Sequence, residues 1–210
     1  MNNKIITIFL AIGALIVLVF GIDIIRNRSN QENEFDFSGI TRPILYEQSP
    51  RTGPSSAKIT IYEYADFNCP SCKAQSADLN RAIEKYKSSV RLVWKDFPFL
   101  SASSKQAAIA ARCAKAQEKF WEYHDWLFNN QNILSDAAFE SGAQLFGLNT
   151  LAFTQCLQDD TIENLVEQDF REGQALGIDS TPTIVIGDVG LVGVSSYQDL
   201  EAAIINELSK

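Results

Sequence analysis

The pattern of apolar and polar positions changes from strand to helix between residues 59 and 86. Residues 59–64 are mostly β-branched or aromatic, which is typical of a strand. After residue 72 the apolar positions recur at helical spacing, at Leu79, Ala82, Ile83 and Tyr86. A second strand is predicted at residues 90–97. Since a helix joins the two strands, we expect them to lie parallel through a right-handed crossover.

From about residue 102 to residue 176 the pattern is helical. The first predicted helix of this block has one apolar face, formed by Ile109, Cys113, Phe120, His124 and Leu127. Three further helices are predicted at residues 136–146, 150–157 and 161–176. Two short strands come next at residues 183–186 and 191–194, around a turn at 187–190, and Ser196 begins a closing helix. The pattern therefore predicts an α/β fold in which a helical block interrupts the strands.

The amino terminus contains an almost unbroken apolar run at residues 5–22. Its length reaches the about 18–20 residues that a helix needs to span a bilayer. We interpret residues 1–28 as an uncleaved signal anchor, because the run ends without a small-x-small site; a cleaved signal peptide and a buried core helix are the alternatives. Lys4 precedes the run, whereas Arg26 and Arg28 come after it, so the count of basic residues opposes export of the rest of the chain.

Residues 29–56 are polar and rich in proline, glycine and serine, which is typical of a tether. A short edge strand is predicted within it at residues 44–46. The length of 210 residues suits one domain with an insertion, or two small domains. The formal net charge is −8 and no Lys/Arg cluster occurs, which argues against nucleic-acid binding. A single histidine argues against a catalytic metal centre, so we expect no metal ligands.

The candidate chemistry lies at the junction of the first strand and its helix, in Cys69-Pro70-Ser71-Cys72. Pro70 suits the first turn of a helix, where no amide donor is needed. Cys69 would then lie where the amides are unpaired and the helix dipole is positive, which favours a thiolate over a thiol. Cys72, one turn inside the helix, should be more buried and less reactive. The same spacing also makes half of a zinc site.

The order strand, Phe67-x-Cys-Pro-Ser-Cys, helix resembles the thioredoxin fold and its DsbA-like branch of thiol–disulfide oxidoreductases. The amino-acid sequence of residues 111–125 resembles that of the helical insertion in that branch. The resemblance implies a thioredoxin-like domain at residues 57–210 with an insertion at about 102–170. It also implies that the bond between Thr181 and Pro182 is cis and faces Cys69, leaving the Thr181 backbone open to an extended substrate.

Glu63 stands six residues before Cys69. A DsbA-like enzyme is expected to have a buried acid at this spacing, with a raised pKa, that relays protons to Cys72. The other interpretation is a carboxylate in water at the end of a strand. Lys95, on the neighbouring predicted strand, is a candidate partner for Glu63.

Cys113 and Cys156 each lie on an apolar helix face. They are either two buried, inert thiols or a disulfide that joins two helices of the insertion. Four cysteines fit an oxidising compartment, and there we favour the disulfide, although sequence alone does not determine the pairing. His124 lies among Phe120, Trp121 and Leu127, and we interpret it as a core histidine.

The resemblance implies a monomeric oxidase that donates the Cys69–Cys72 disulfide to unfolded or reduced exported proteins, without a further cofactor. It would be a single-pass protein of the cell membrane with its catalytic domain outside the cytoplasm. A membrane quinone-linked partner of the DsbB or VKOR-like kind would reoxidise it. The alternatives are a reductase or isomerase of the same fold, a structural zinc protein that uses four cysteines, and a binding module without redox activity.

Overall fold

In the computed structural model the described residues are 35–210, so the predicted signal anchor at residues 1–28 lies outside them. Within the described range, no helix combines the length and apolar character needed to cross a bilayer.

The described residues form a five-stranded sheet with helices around it. The strands are β1 (Arg51–Thr52), β2 (Ile59–Ala65), β3 (Val90–Asp96), β4 (Thr183–Ile186) and β5 (Val189–Val192), in the spatial order β1-β3-β2-β4-β5. The helices are α1 (Pro70–Lys85), α2 (Ser104–Lys115), α3 (Phe120–Asn129), α4 (Asp136–Leu145), α5 (Thr150–Cys156), α6 (Asp160–Ala175) and α7 (Tyr197–Leu208), with a 3₁₀ turn at Gln131–Ile133. Strands β2 and β3 are parallel, as the pattern predicts, and the other pairs are antiparallel.

The edge strand of this sheet is not where the sequence places it. Residues 44–46 form no strand, and β1 instead pairs with Leu92 and Val93 of β3. Gly53 comes directly after β1 with a φ of 102°, and a Cβ there would lie 2.6 Å from the carbonyl oxygen of Val90. The chain can leave the sheet edge at this point because the residue is glycine. The sheet therefore begins inside the predicted tether.

Two other predicted boundaries are wrong. The helix face drawn through residues 109–127 belongs to two helices, because α2 ends at Lys115 and α3 begins only at Phe120. Glu118, in the connection, has a left-handed φ of 61° that no helix continues through. In the hairpin the turn is two residues shorter than predicted: Gly187, with a φ of 59°, and Asp188 form it, and β5 starts at Val189.

The buried apolar residues form two clusters. One lies between the sheet and helices α1 and α7, and includes Ile61, Leu79, Ile184 and Leu200. The other gathers the insertion helices around Trp94 at the carboxyl end of β3, and it also contains the two cysteines of the motif. The active-site turn is thus packed against the insertion.

The structure joins Cys113 of α2 to Cys156 of α5 in a disulfide with an S–S distance of 2.01 Å. The two residues are 43 positions apart, so the bond closes a long loop in the unfolded chain. Because both sulfurs are used in this bond, they are not free to complete a four-cysteine zinc site with Cys69 and Cys72.

We expect this disulfide to stabilise the domain by about 2–4 kcal/mol, since it restricts the unfolded chain. The measurement is denaturant unfolding in a Cys69→Ala/Cys72→Ala background, in which Cys113–Cys156 is the disulfide that reductant can break. Reductant should lower the free energy of unfolding by that amount. In the protein that also carries Cys113→Ala/Cys156→Ala, reductant should have no effect on the free energy of unfolding. An equal effect of reductant on the proteins with and without Cys113 and Cys156 would contradict the prediction.

Candidate active site

Cys69 is the residue that caps the amino terminus of α1. Its backbone is extended, and its Sγ accepts a hydrogen bond from the Cys72 amide at 3.2 Å. Pro70 is the first residue of the helix, as predicted. The two sulfurs are free thiols in this structure; both residues are buried, whereas Pro70 and Ser71 are exposed.

The loop before β4 faces this cap. The Thr181–Pro182 peptide bond is cis, and the Cys69 Sγ lies 3.4 Å from the carbonyl oxygen of Thr181, to which it donates only when the thiol is protonated. Strand β4 pairs antiparallel with β2, with Thr183 opposite Tyr64, and this pairing brings the loop to the end of β2 that leads into the motif. Sheet topology therefore joins two elements that are more than a hundred residues apart.

The two cysteines differ strongly in acidity. The hydrogen bond from the Cys72 thiol and the amides of Cys72 and Ser71 lower the pKa of Cys69 to about 6, although burial acts in the opposite direction. Burial, and then the hydrogen bond with Cys69, raise the pKa of Cys72 far above that of an ordinary thiol. At neutral pH the pair therefore holds a thiolate at Cys69 and a proton on Cys72.

Two polar residues that sequence reasoning missed hold the active-site turn. Asp66 accepts hydrogen bonds from the amides of Asn68 (2.8 Å), Phe99 (2.9 Å) and Leu100 (2.9 Å). An aspartate two residues before a turn amide is a recognisable Asx-turn signal, so Asp66 could have been found.

Gln131 is the second missed residue. Its side-chain amide donates to the carbonyl oxygens of Phe67 at 2.8 Å and Cys69 at 2.9 Å. It comes from the 3₁₀ turn of the insertion, about 60 residues away along the chain, and no local pattern marks it. The insertion therefore holds the backbone of the reactive cysteine directly.

Glu63 is buried in the middle of β2, with 3% of its surface exposed. Burial, and then the charge of Cys69, raise its pKa to about 8. Its Oε1 atom has no hydrogen-bond partner among the described residues. The interpretation of Glu63 as a solvated carboxylate at a strand end is therefore wrong, while its role as a proton relay remains a prediction.

Lys95 is not the partner of Glu63, and this prediction is wrong. Glu63 lies opposite Trp94 and Tyr64 lies opposite Lys95. Since neighbouring side chains on a strand point to opposite faces, Lys95 lies on the other face of the sheet. Its Nζ there pairs with Asp169 at 2.9 Å and Glu172 at 3.0 Å, both on α6.

Glu63 should make stability depend on pH. Between the pKa of 4.5 of an ordinary glutamate and about 8, the folded protein keeps a proton at Glu63 that the unfolded chain has released. The free energy of unfolding therefore falls as pH rises through this window. Glu63→Gln should remove this dependence and raise the free energy of unfolding near pH 8 by roughly 1–3 kcal/mol.

Denaturant unfolding at the two ends of that window measures this effect. Glu140→Gln is the matched control, since Glu140 is an exposed glutamate on α4 and should leave the pH dependence as it is. An unchanged pH dependence in Glu63→Gln would show that Glu63 is ionised in the folded protein.

Comparison with known proteins agrees with this geometry. A family model described as thioredoxin matches residues 46–206. Disulfide bond formation protein D of Bacillus subtilis is 28% identical over 174 residues, which are 76% of this chain and 77% of the relative. The probable disulfide bond formation protein D of Bacillus cereus is 24% identical over 224 residues, with 100% and 99% covered.

Another relative is much longer than this chain. The Na(+)/H(+) antiporter NhaA 3 of Salinispora tropica is 31% identical over 166 residues, which are 78% of this chain and 25% of the relative. The chain thus spans about a quarter of the length of that curated relative.

Solved structures show the same fold. The catalytic domain of Proteus mirabilis ScsC is 30% identical with a TM-score of 0.69, and the match covers 79% of this chain and 93% of that one. Oxidised BdbD of Bacillus subtilis has a TM-score of 0.72 at 24% identity, with 81% and 98% covered. The chain belongs to the thioredoxin family, and its described residues form a DsbA-type thiol–disulfide oxidoreductase domain with a helical insertion.

Proposed function

We propose that this chain is a disulfide-forming oxidase that donates the Cys69–Cys72 disulfide to exported proteins. The observation that carries the proposal is the pair of opposite shifts at the motif: the pKa of Cys69 is lowered to about 6 and that of Cys72 is raised. A stabilised Cys69 thiolate lowers the free energy of the reduced enzyme, and a dithiol that is stable when reduced makes an oxidising disulfide.

The reaction has two exchange steps. A substrate thiolate attacks the Cys69 sulfur, the Cys69–Cys72 bond breaks, and Cys72 leaves and takes up a proton. A second substrate thiolate then attacks the substrate sulfur of the mixed disulfide, and Cys69 leaves as a thiolate. The substrate gains one disulfide and the enzyme gains the two electrons, while Cys69 stays unprotonated above its pKa.

Glu63 supplies and accepts the proton of Cys72 in this proposal. A carboxyl group with a pKa of about 8 is protonated at neutral pH and can protonate the leaving thiolate. In reoxidation the direction reverses, because Cys72 must lose its proton before it attacks. The unpaired Oε1 atom of Glu63 leaves this carboxyl group free for such an exchange.

The substrate binds as an extended segment beside Thr181 in this proposal. The Thr181 carbonyl oxygen lies 3.4 Å from the Cys69 sulfur, so a strand that pairs with the Thr181 backbone would bring its cysteine to Cys69. The backbone contact does not depend on side chains, which suits many unfolded or reduced exported substrates.

The proposed setting is the outer side of the cell membrane. Residues 1–28 anchor the protein as a single-pass segment, the catalytic domain works as a monomer, and a membrane quinone-linked partner of the DsbB or VKOR-like kind reoxidises it. Support comes from relatives named disulfide bond formation protein D and from the Cys113–Cys156 disulfide, which fits an oxidising compartment. No further cofactor is needed, since the motif itself carries the electrons.

The test is the redox equilibrium of the full-length chain with glutathione. We expect a reduction potential less negative than about −200 mV, as for known oxidases and isomerases, together with net oxidation of a dithiol peptide. A potential near about −270 mV, as in thioredoxin, would make the protein a reductase. Absence of exchange in both directions would favour a binding module.

A further inference from the structure

A cavity of about 210 Å³ lies between α1, α3 and the sheet, next to the active-site helix. Its lining includes Glu63 of β2, Ser76 of α1, and His124 and Asp125 of α3. Ser76 hydrogen-bonds the Cys72 carbonyl oxygen at 3.2 Å, so the cavity begins one turn along α1 from the buried cysteine. A water molecule needs roughly 10–15 Å³ of such space, so the cavity has room for several.

Two residues of this cavity each have a buried polar atom without a hydrogen-bond partner among the described residues: Oε1 of Glu63 and Nε2 of His124. The two residues are only 3% and 5% exposed. Buried polar groups are nearly always hydrogen-bonded, to protein or to ordered water. Because both residues line one cavity, water in that cavity is the candidate partner for both atoms.

Asp125 determines which nitrogen of His124 carries the proton. The Nδ1 atom lies 2.9 Å from Oδ1 of Asp125, whose side chain is 66% exposed at the surface. Burial lowers the pKa of His124, while Asp125 and, at longer range, Asp96 raise it. A neutral ring that donates from Nδ1 to this carboxylate leaves a bare lone pair on Nε2 toward the cavity.

We propose that His124 and Asp125 form the outer stage of a proton path that connects Glu63 with bulk water. The inference deepens the function proposed above and rests on it. His124 is a core histidine, as the sequence predicts, since it is 5% exposed and packs against Trp94 and Phe128. The proposal adds a proton-relay role to it.

The proton balance closes over one catalytic cycle. Before reoxidation, the Glu63 carboxyl group gives its proton through cavity water to Nε2, and the ring releases the Nδ1 proton to Asp125 and bulk water. Glu63 can then accept the proton of Cys72. After the next reduction, in which Glu63 has protonated Cys72, the Nε2 proton returns to the Glu63 carboxylate and Nδ1 takes one from outside. The hydrogen bond between Nδ1 and Asp125 favours the tautomer with a bare Nε2, and it is present here with Cys69 and Cys72 unjoined, which is the reduced state of the motif.

The test is the rate of reduction and reoxidation of the full-length chain as a function of pH, followed by stopped-flow tryptophan fluorescence. His124→Gln keeps a polar group in the cavity but cannot pass a proton, and we expect it to slow exchange near neutral pH on the order of tenfold. Asp125→Asn should slow it less. Glu122→Gln, which alters an exposed glutamate on the same helix, is the matched control and should equal the wild type.

The double variant separates a relay from a packing effect. If protons pass from Glu63 to His124, Glu63→Gln/His124→Gln should be no slower than Glu63→Gln alone, because the path is already broken. Multiplying effects, or a pH profile of His124→Gln that matches the wild type, would overturn the proposal. If His124→Gln does not fold, Asp125→Asn and the double variant Glu63→Gln/Asp125→Asn replace it, and the same two outcomes decide. A wild-type chain that fails to oxidise dithiols would instead refute the proposed function.

Discussion

Cys69→Ser should reduce dithiol oxidation to the uncatalysed background, a loss on the order of a thousandfold or more, because it removes the attacked sulfur. Cys72→Ser should have a different consequence. It keeps the reactive sulfur with its helix amides but removes Cys72, the thiol of the enzyme that would otherwise attack Cys69 and displace the substrate from a mixed disulfide. Cys72→Ser should therefore accumulate covalent complexes with substrate that reductant releases, and Cys69→Ser should not.

Non-reducing electrophoresis of the two reduced variants with a disulfide-linked peptide dimer makes this comparison directly. The Cys69 thiolate attacks one peptide sulfur, the other peptide leaves as a thiolate, and the mixed disulfide persists where Cys72 is absent. Each variant is the matched control for the other, since both lose one sulfur of the same pair. Equal trapping by both would mean that the Cys72 thiol is as accessible and as reactive as Cys69, in conflict with its burial and its raised pKa.

Arg112→Met should lower the free energy of unfolding by about 3–5 kcal/mol, because it breaks a buried network from one side. Arg112 on α2 pairs with Asp96 of β3 at 2.6 Å and also with Asp169 of α6, which in turn pairs with Lys95. All four side chains are at most 3% exposed. The substitution leaves the Asp96 carboxylate buried without its guanidinium, and burial already raises the pKa of Asp96.

Denaturant unfolding measures this loss, and an exposed ion pair supplies the control. Lys105 on α2 pairs with Glu163 of α6, with side chains 40% and 47% exposed. Lys105→Met should cost less than about 1 kcal/mol, since water screens such a pair. If Arg112→Met cost no more than Lys105→Met, the buried network would contribute no more to stability than an exposed ion pair, which would contradict the prediction.

The parts of the fold that sequence predicts well are those with a local signal. Residues 59–72 combine a strand pattern, a proline suited to the first turn of a helix, and two cysteines within one turn. From these neighbouring residues both the β-α-β unit and the acidity of Cys69 can be inferred. The connection after Lys115 carries no proline or glycine, and the helix break there was missed because a left-handed glutamate has no strong sequence signature.

The parts that sequence could not supply depend on contacts between distant segments. Lys95 could be assigned to the wrong partner because the register of β2 against β3, which decides the face, is not visible in the sequence. Asp169 is 57 residues from Arg112 along the chain, and Gln131 is 62 residues from Cys69. The cavity beside Glu63 likewise exists only once α1 and α3 have packed against the sheet.

The most direct test of the account is the pKa of Cys69 in the reduced full-length protein, taken from the pH dependence of its alkylation rate with Cys113–Cys156 left intact. We expect a pKa of about 6 for Cys69, so that its thiolate dominates at neutral pH. A value near that of an ordinary thiol, about 8.5, would contradict it.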